Sequence, residues 1–251
     1  MAKKQKETKY RTVRGGILYG ILTAVLVAVS VVLACTVFFR VEEVTVDGCE
    51  RYSAEQVLAV AAVEKGANLI LTPSDQIEHR ISKNLPYVDT VQAQKRFPTT
   101  LKLVITESQP VAVMAAGEEQ WIIDAKGKVL EKADEGLALQ YIQVKGLELT
   151  SPQQGEPAQT GPEGEKRLES LLGLLQALQG QELIGEITEI DASLSTEISM
   201  VYQGRIKATM LTSADFNRRI QIFEAVVALA GEYDRGTVNL KTEKVFFTLD
   251  N

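Results

Sequence analysis

Glu186, Glu189 and Asp191 place three carboxylates within six residues. A pair of carboxylates is what glycosidic bond cleavage requires, one as acid and one as base or nucleophile. Glu189 and Asp191 are two apart, so they share one face of a strand. The same spacing is also the ordinary mark of a strand's solvent side, and that is the reading the pattern favours. His79 is the sole histidine and lies between Glu78 and Arg80 on the polar side of a helical stripe. A Ser-His or Cys-His nucleophile therefore lacks its base. Cys35 and Cys49 fall in different environments and are not expected to pair, and neither zinc-ligand spacing nor a phosphate-cradling glycine loop is present. These residues predict a protein that is not an enzyme and holds no metal or cofactor. The remaining chemistry belongs to the backbone. Val245, Phe246 and Phe247 are strongly β-prone and lie near the end of the sequence. An unpaired strand there could accept an extended segment of another protein. The same aromatics could also close a core, and the two roles are compatible.

What positions these groups begins with residues 15–39, which carry no charged side chain and are bracketed by Arg14 and Arg40. Twenty-five helical residues span about 37 Å, against a hydrocarbon layer of roughly 30 Å. The run is longer than the ~7–15 apolar residues of a cleaved signal peptide. It also continues past Cys35, unlike a lipoprotein processing box. Lys3, Lys4, Lys6, Lys9, Arg11 and Arg14 precede it against Glu7 alone. By the positive-inside rule, residues 1–14 form a cytoplasmic tail, residues 15–39 a membrane span, and the rest an extracytoplasmic body. Of 27 Lys and Arg and 33 Asp and Glu, the body keeps 21 and 32, an excess of eleven acidic residues. Such a surface repels nucleic acid and anionic lipid. With two cysteines in all, the body must be held by burial rather than by disulfides.

Periodicity divides that body into two. Val44 and Val46 alternate with Thr45 and Asp47 as a strand. Ser53 and Gln56 have capping-box spacing ahead of a helix with Ala54, Val57, Leu58 and Ala61 on one face. Pro73 suits the first position of a second helix, with Ile77, Ile81 and Leu85 as its stripe. Strands follow at 88–95 and through Leu101, Leu103 and Ile105. Residues 41–108 thus read strand, helix, helix, strand, strand, with both helices on one face of a small sheet. Residues 109–251 read as a second, mixed α/β domain with an extended antiparallel sheet. Its strands are expected at 111–114, 120–124, 129–130, 139–144, 186–191, 197–202 and 205–211, with a hairpin at Gln203-Gly204. Residues 151–164 read as a loop, and a Leu-rich helix through Leu168, Leu171, Leu172, Leu175 and Leu178 follows. A last helix carries Phe216, Ile220, Phe223, Val227 and Ala230, before a final strand pair through Val238, Leu240, Val245 and Phe247. The fold class is α+β behind a single transmembrane helix.

The stretch KRFPTTLKLVITESQPVAVM, beginning at Lys95, sets an aromatic-Pro pair before a strand that runs into an acidic residue and then Pro-Val-Ala. It continues as WIIDAKGKVL from Trp121, and Gly236-Thr237-Val238-Asn239-Leu240 stands near the end. Together these resemble the bacterial cell-division family called FtsQ in some lineages and DivIB in others, whose first extracytoplasmic unit is a POTRA domain. Phe97, Pro98, Leu101, Glu107, Pro110, Asp124 and Gly127 fall on the family's structural motifs. Ser108 and Leu211 depart from it, standing where the family usually has a basic residue and a glycine. The resemblance implies a scaffold at the division septum that assembles with FtsL and FtsB or DivIC. It further implies that this assembly regulates septal peptidoglycan synthases. It also implies that partner binding falls on Thr237, Val238, Asn239, Leu240, Lys241, Thr242, Val245, Phe246 and Phe247. A membrane-anchored cell-wall hydrolase and a single-span envelope sensor are the rival classes. Trp121 and the Phe97-Pro98 pair have an ordinary structural explanation, in packing and in shaping the turn between strands.

Overall fold

The structure is a computed structural model that describes residues 9–231, 234–242 and 245–249. The first eight tail residues therefore lie outside the described residues. Helix α1 (Lys9–Phe38) contains an uninterrupted apolar stretch, Leu18–Phe38, with mean hydropathy 2.8 and no part of it buried. It is long and apolar enough to cross a bilayer, and ends one residue before the expected limit of the run.

The chain then divides into two compact units. The first comprises Met1–Arg80 with Val91–Ile105, and the second comprises Ile81–Thr90 with Thr106–Asn251. Strand β1 (Glu43–Asp47), helices α2 (Ala54–Ala61) and α3 (Ser74–Asn84), and strands β2 (Val88–Arg96) and β3 (Thr100–Glu107) follow the expected order. They build a three-stranded sheet in the order β1-β3-β2, with β1 parallel to β3. The capping box forms as the spacing predicts. Gln56 N–H donates to Ser53 Oγ at 3.2 Å, and Ser53 N–H donates to the Gln56 side chain at 2.9 Å. Val57, Ala61, Leu69, Ile77, Leu101, Leu103 and Ile105 are buried. Pro73 stands just ahead of α3 rather than inside it. Its carbonyl accepts from Ile77 N–H, so the ring occupies the capping position.

The second unit holds a nine-stranded sheet ordered β12-β11-β10-β9-β8-β7-β4-β5-β6. Its strands are β4 (Pro110–Ala116), β5 (Glu119–Asp124), β6 (Val129–Ala133), β7 (Ile142–Glu148), β8 (Ile187–Asp191), β9 (Glu197–Tyr202), β10 (Ile206–Leu211), β11 (Gly236–Asn239) and β12 (Phe246–Leu249). The helices are α4 (Glu135–Ala138), α5 (Glu165–Gly180) and α6 (Phe216–Val227). Antiparallel ladders dominate, but β4–β7, β7–β8 and β10–β11 are parallel. Parallel neighbours need a crossover, and α5 and α6 supply the last two. The β9–β10 hairpin turns at Gln203-Gly204 with both residues at positive φ (48° and 65°), as a two-residue turn requires. One core gathers Leu171, Leu174, Leu175 and Leu178 of α5 and Ile220 and Phe223 of α6. They join Ile190, Met200, Ala208 and Val238 from the sheet.

Three expectations shift. The strand expected at 139–144 begins at Ile142 instead, because Asp134 caps α4 by accepting Leu137 N–H at 2.7 Å. Leu139 then ends that short helix, 80% exposed. Ala230 follows α6 rather than belonging to it, since the helix closes at Ala228. Leu240 and Val245 bracket the connection between β11 and β12, although both still reach the core.

Replacing Ser53 with Ala removes the N-cap and half of the capping box. Such a loss costs about 1 kcal/mol. Urea unfolding of the extracytoplasmic part should show that loss, while Glu55→Ala in the same exposed turn should be near neutral.

Candidate functional site

A strand at the rim of a sheet has one row of amides and carbonyls without a ladder partner. The nine-stranded sheet has two rims, β6 and β12, and they are treated differently. Along β6, Val129 N–H donates to Glu156 O at 2.9 Å, and Gly155 N–H donates to Val129 O at 2.8 Å. A further bridge joins Lys128 and Pro157. The loop that the sequence marked at 151–164 therefore covers the start of that rim. Tyr87 Oη adds a hydrogen bond to Glu131 Oε1 at 2.5 Å. By contrast, β12 pairs with β11 on one side, and among the described residues no backbone bond covers the other.

Directly paired residues share a face of the sheet, so register assigns each side chain. Phe247, Val238, Ala208, Met200 and Ile190 form one row across five strands, and it faces the core. Phe246, Asn239, Thr209, Ser199 and Asp191 form a row on the opposite face. Phe246 thus ends a row of short polar side chains, and 60% of it is exposed. Phe247 packs against the core and fixes the strand from below.

The connection between β11 and β12 is held at several points. Leu240 N–H donates to Thr209 O at 2.8 Å, and Lys241 N–H donates to Asn239 Oδ1 at 3.0 Å. Arg219 of α6 donates to Thr242 O at 2.7 Å. Lys241 pairs with Glu197 of β9 at 2.6 Å, with both side chains about two-thirds covered. Residues 243 and 244 lie outside the described residues. Upstream, the Arg205 guanidinium donates to Gly231 O and Asp234 O, steadying the approach to β11. Gly236 is required by close approach, since a Cβ there would stand 2.2 Å from Thr248 O of β12.

The candidate binding residues Thr237, Val238, Asn239, Leu240, Lys241, Thr242, Val245, Phe246 and Phe247 therefore gather at one rim. Val238 and Leu240 are fully buried there and act as its footing. The family-motif residues lie elsewhere. Asp124 Oδ1 accepts from Lys126 N–H (2.9 Å) and Lys128 N–H (2.8 Å), closing the β5–β6 turn in which Gly127 adopts φ 84°. A Cβ on Gly127 would come within 2.8 Å of the Leu172 side chain, so turn and helix α5 meet there. Pro110 opens β4 opposite Asp124, next to a shift in register. Leu101 is buried in β3, and Glu107 ends that strand half-buried. Phe97 and Pro98 form an exposed turn joined by a cis peptide bond. Trp121 is half-buried against the core of the second unit.

The three carboxylates considered first are committed to other partners. Glu186 accepts from Gln203 at 2.7 Å, and Glu189 pairs with Lys145 at 2.7 Å. Asp191 accepts from the Ser193 hydroxyl and amide, and the hydroxyl bond chiefly holds its carboxyl below the usual range. Glu189 and Asp191 lie on the open face of the sheet, as the alternation predicts, whereas Glu186 ends a short 3-10 turn ahead of β8. His79 is exposed on α3. Among the described residues no cluster of three or more His, Cys, Asp or Glu is arranged to hold a metal. Arg219 and Glu197 escaped the sequence reading. They lie 23 and 44 residues from their partners, and no local pattern links them.

An apolar helix running directly into a small β-α-α-β-β unit and then a large mixed sheet defines a POTRA protein with a membrane-length leading helix. Residues 39–108 match the model of the POTRA domain, FtsQ-type. The chain is 36% identical over 105 residues to the cell division protein FtsQ of Streptomyces griseus, covering 41% of this chain and 50% of that one. It is 23% identical over 208 residues to FtsQ of Syntrophotalea carbinolica, covering 79% and 71%. Against the cell division protein DivIB of Clostridium acetobutylicum it is 23% identical over 156 residues, covering 62% and 61%. The match thus spans only half of the Streptomyces relative. Residues 39–108 are thus a POTRA domain of the FtsQ type, and the chain is similar to the FtsQ and DivIB cell division proteins.

Because Gly236 admits β12 so closely, Gly236→Ala should detach the rim strand while sparing the sheet's centre. In amide NMR spectra, the β-type shifts of Phe246–Leu249 should collapse toward coil values, with those of β8 and β9 retained.

Proposed function

We propose that this chain is a non-enzymatic scaffold of the division machinery, whose open β12 rim receives an extended segment of a partner. Division proteins of the FtsL and FtsB or DivIC type are the partners proposed, and the assembly would regulate septal peptidoglycan synthesis carried out by other enzymes. The observation that carries this reading is the asymmetry of the sheet: one rim is covered by its own loop, and among the described residues no backbone bond covers the other. Strand addition there would give affinity through the backbone and selectivity through Phe246 and its neighbours.

In the same proposal, residues 1–14 are cytoplasmic and residues 15–39 cross the membrane, while 41–108 and 109–251 are two extracytoplasmic domains at the septum. The basic tail ahead of an uncharged run supports that orientation. Confinement to the membrane surface would raise the effective concentration of the rim for membrane-bound partners. A hydrolase reading has no comparable support, since the nearest carboxylates are engaged by Gln203, Lys145 and Ser193.

Phe246→Asp should weaken capture of the FtsL–FtsB/DivIC pair at least tenfold in a pull-down, with circular dichroism unchanged. Full capture by a folded variant would remove the rim from the account. A fluorescent fusion of the native chain should form a band at midcell, and a uniform envelope signal would contradict the division role.

A further inference from the structure

The turn at Phe97-Pro98 and the loop at Ile70-Leu71 have no part in the β12 rim, yet both present large apolar side chains to solvent. Leu71 is 77% exposed, Phe97 59% and Ile70 42%. Their common feature is their place at the end of α1. Phe39, the first residue after the helix, meets the Phe97 ring edge-on at 5.5 Å between centroids. Its carbonyl accepts Leu69 N–H at 2.8 Å, and Asn68 Nδ2 reaches the Cys35 carbonyl in the last helical turn at 3.4 Å. Arg40 forms a β-bridge with Asn68, and Val41 exchanges hydrogen bonds with Ala67 and Gly66 at 2.8 Å each. Lys95 Nζ then donates to Ile70 O at 2.8 Å, tying the end of β2, next to the turn, to the same loop.

The consequence is geometric. Chain connection and hydrogen bonds fix both apolar tips beside the last turn of a helix whose 21 apolar residues span about 31 Å, one hydrocarbon thickness. Water-exposed Leu71, Phe97 and Ile70 would then lie at the depth of the headgroup boundary, where apolar and aromatic side chains are favoured. Arg40, Lys95 and Arg96 lie in or beside the same segments, and long cationic side chains at that depth keep their charge in the headgroups. We propose that the Ile70-Leu71 loop and the Phe97-Pro98 turn form a bilayer-docking surface that seats the POTRA domain on the lipid interface. The occupant is the membrane, because the bonds to Cys35, Phe39 and Val41 hold these tips to the helix end. The proposal rests on the reading that α1 crosses the bilayer. It turns the aromatic-Pro pair from a turn-shaping element into a lipid contact and limits how freely the domain can tilt about its anchor.

Full-length protein in lipid nanodiscs tests this, with Cys35 and Cys49 replaced by Ser and a single fluorophore on a new cysteine. Lipids carrying a nitroxide quencher near the headgroup should quench a label at Leu71→Cys or Phe97→Cys several-fold more than one at Glu55→Cys, exposed at the start of α2. A label at Val27→Cys, quenched by nitroxide deep in the acyl chain, reports whether α1 spans. Quenching at Val27 with equal, weak quenching at 55, 71 and 97 overturns the docking surface and leaves the span intact. Absence of deep quenching at Val27 overturns the span and the docking surface with it. Quenching of the tips that disappears in the Leu71→Ser/Phe97→Ser double variant, read from a label at Thr99→Cys, completes the support, and persistence there assigns the contact to other residues and overturns the proposal.

Discussion

Backbone hydrogen bonds left over at the ends of a sheet must go somewhere, and that requirement organises the second unit. Each interior strand is satisfied on both sides, whereas β6 and β12 each have a row to spare. The chain spends the residues around Gly155, Glu156 and Pro157 on β6. It spends nothing comparable on β12 among the described residues. Instead, the effort goes into fixing β12 from its inner side: Gly236 allows close approach, Phe247 packs downward, and Arg219 and Glu197 hold the connecting loop. A rim built this way is held from within and, among the described residues, has no ladder partner on its outer side. Preorganisation of that kind lowers the ordering cost a binding partner must meet.

The charged open face of the sheet fits the same picture. Lys145 with Glu189 and Lys241 with Glu197 are partly exposed pairs, each worth little to stability. Their value lies in keeping the face soluble, so that an apolar side chain such as Phe246 stands out at the rim. The POTRA unit contributes differently. Its backbone bonds to the end of α1 make the helix and domain continuous, which gives the membrane anchor a defined exit rather than a free linker.

Much of this was legible in the residues. Capping at Ser53, the stripes of α3, α5 and α6, and the Gln203-Gly204 hairpin are local patterns whose physical causes lie within a few positions. Strand order was not legible, because the parallel pairing of β7 with β4 and of β10 with β11 depends on where crossover helices land. Residues 139–141 misled for a related reason: Asp134 caps a short helix that runs to Ala138, so the strand begins at Ile142 rather than at Leu139. At the candidate site, β propensity singled out Val245, Phe246 and Phe247, and the register then separated an exposed Phe246 from a packed Phe247. Coverage of β6 by a distant loop could not be read from any local pattern, and it is that coverage which makes β12 distinctive.

The central claim is that partner binding occurs by strand addition at β12. Amide hydrogen exchange of the native chain, alone and in a reconstituted assembly with FtsL and FtsB or DivIC, tests it most directly. The account predicts new protection concentrated in Phe246–Leu249, with the interior strands unchanged. Assembly that leaves those amides exchanging at their free rate, while protection appears elsewhere, would contradict it.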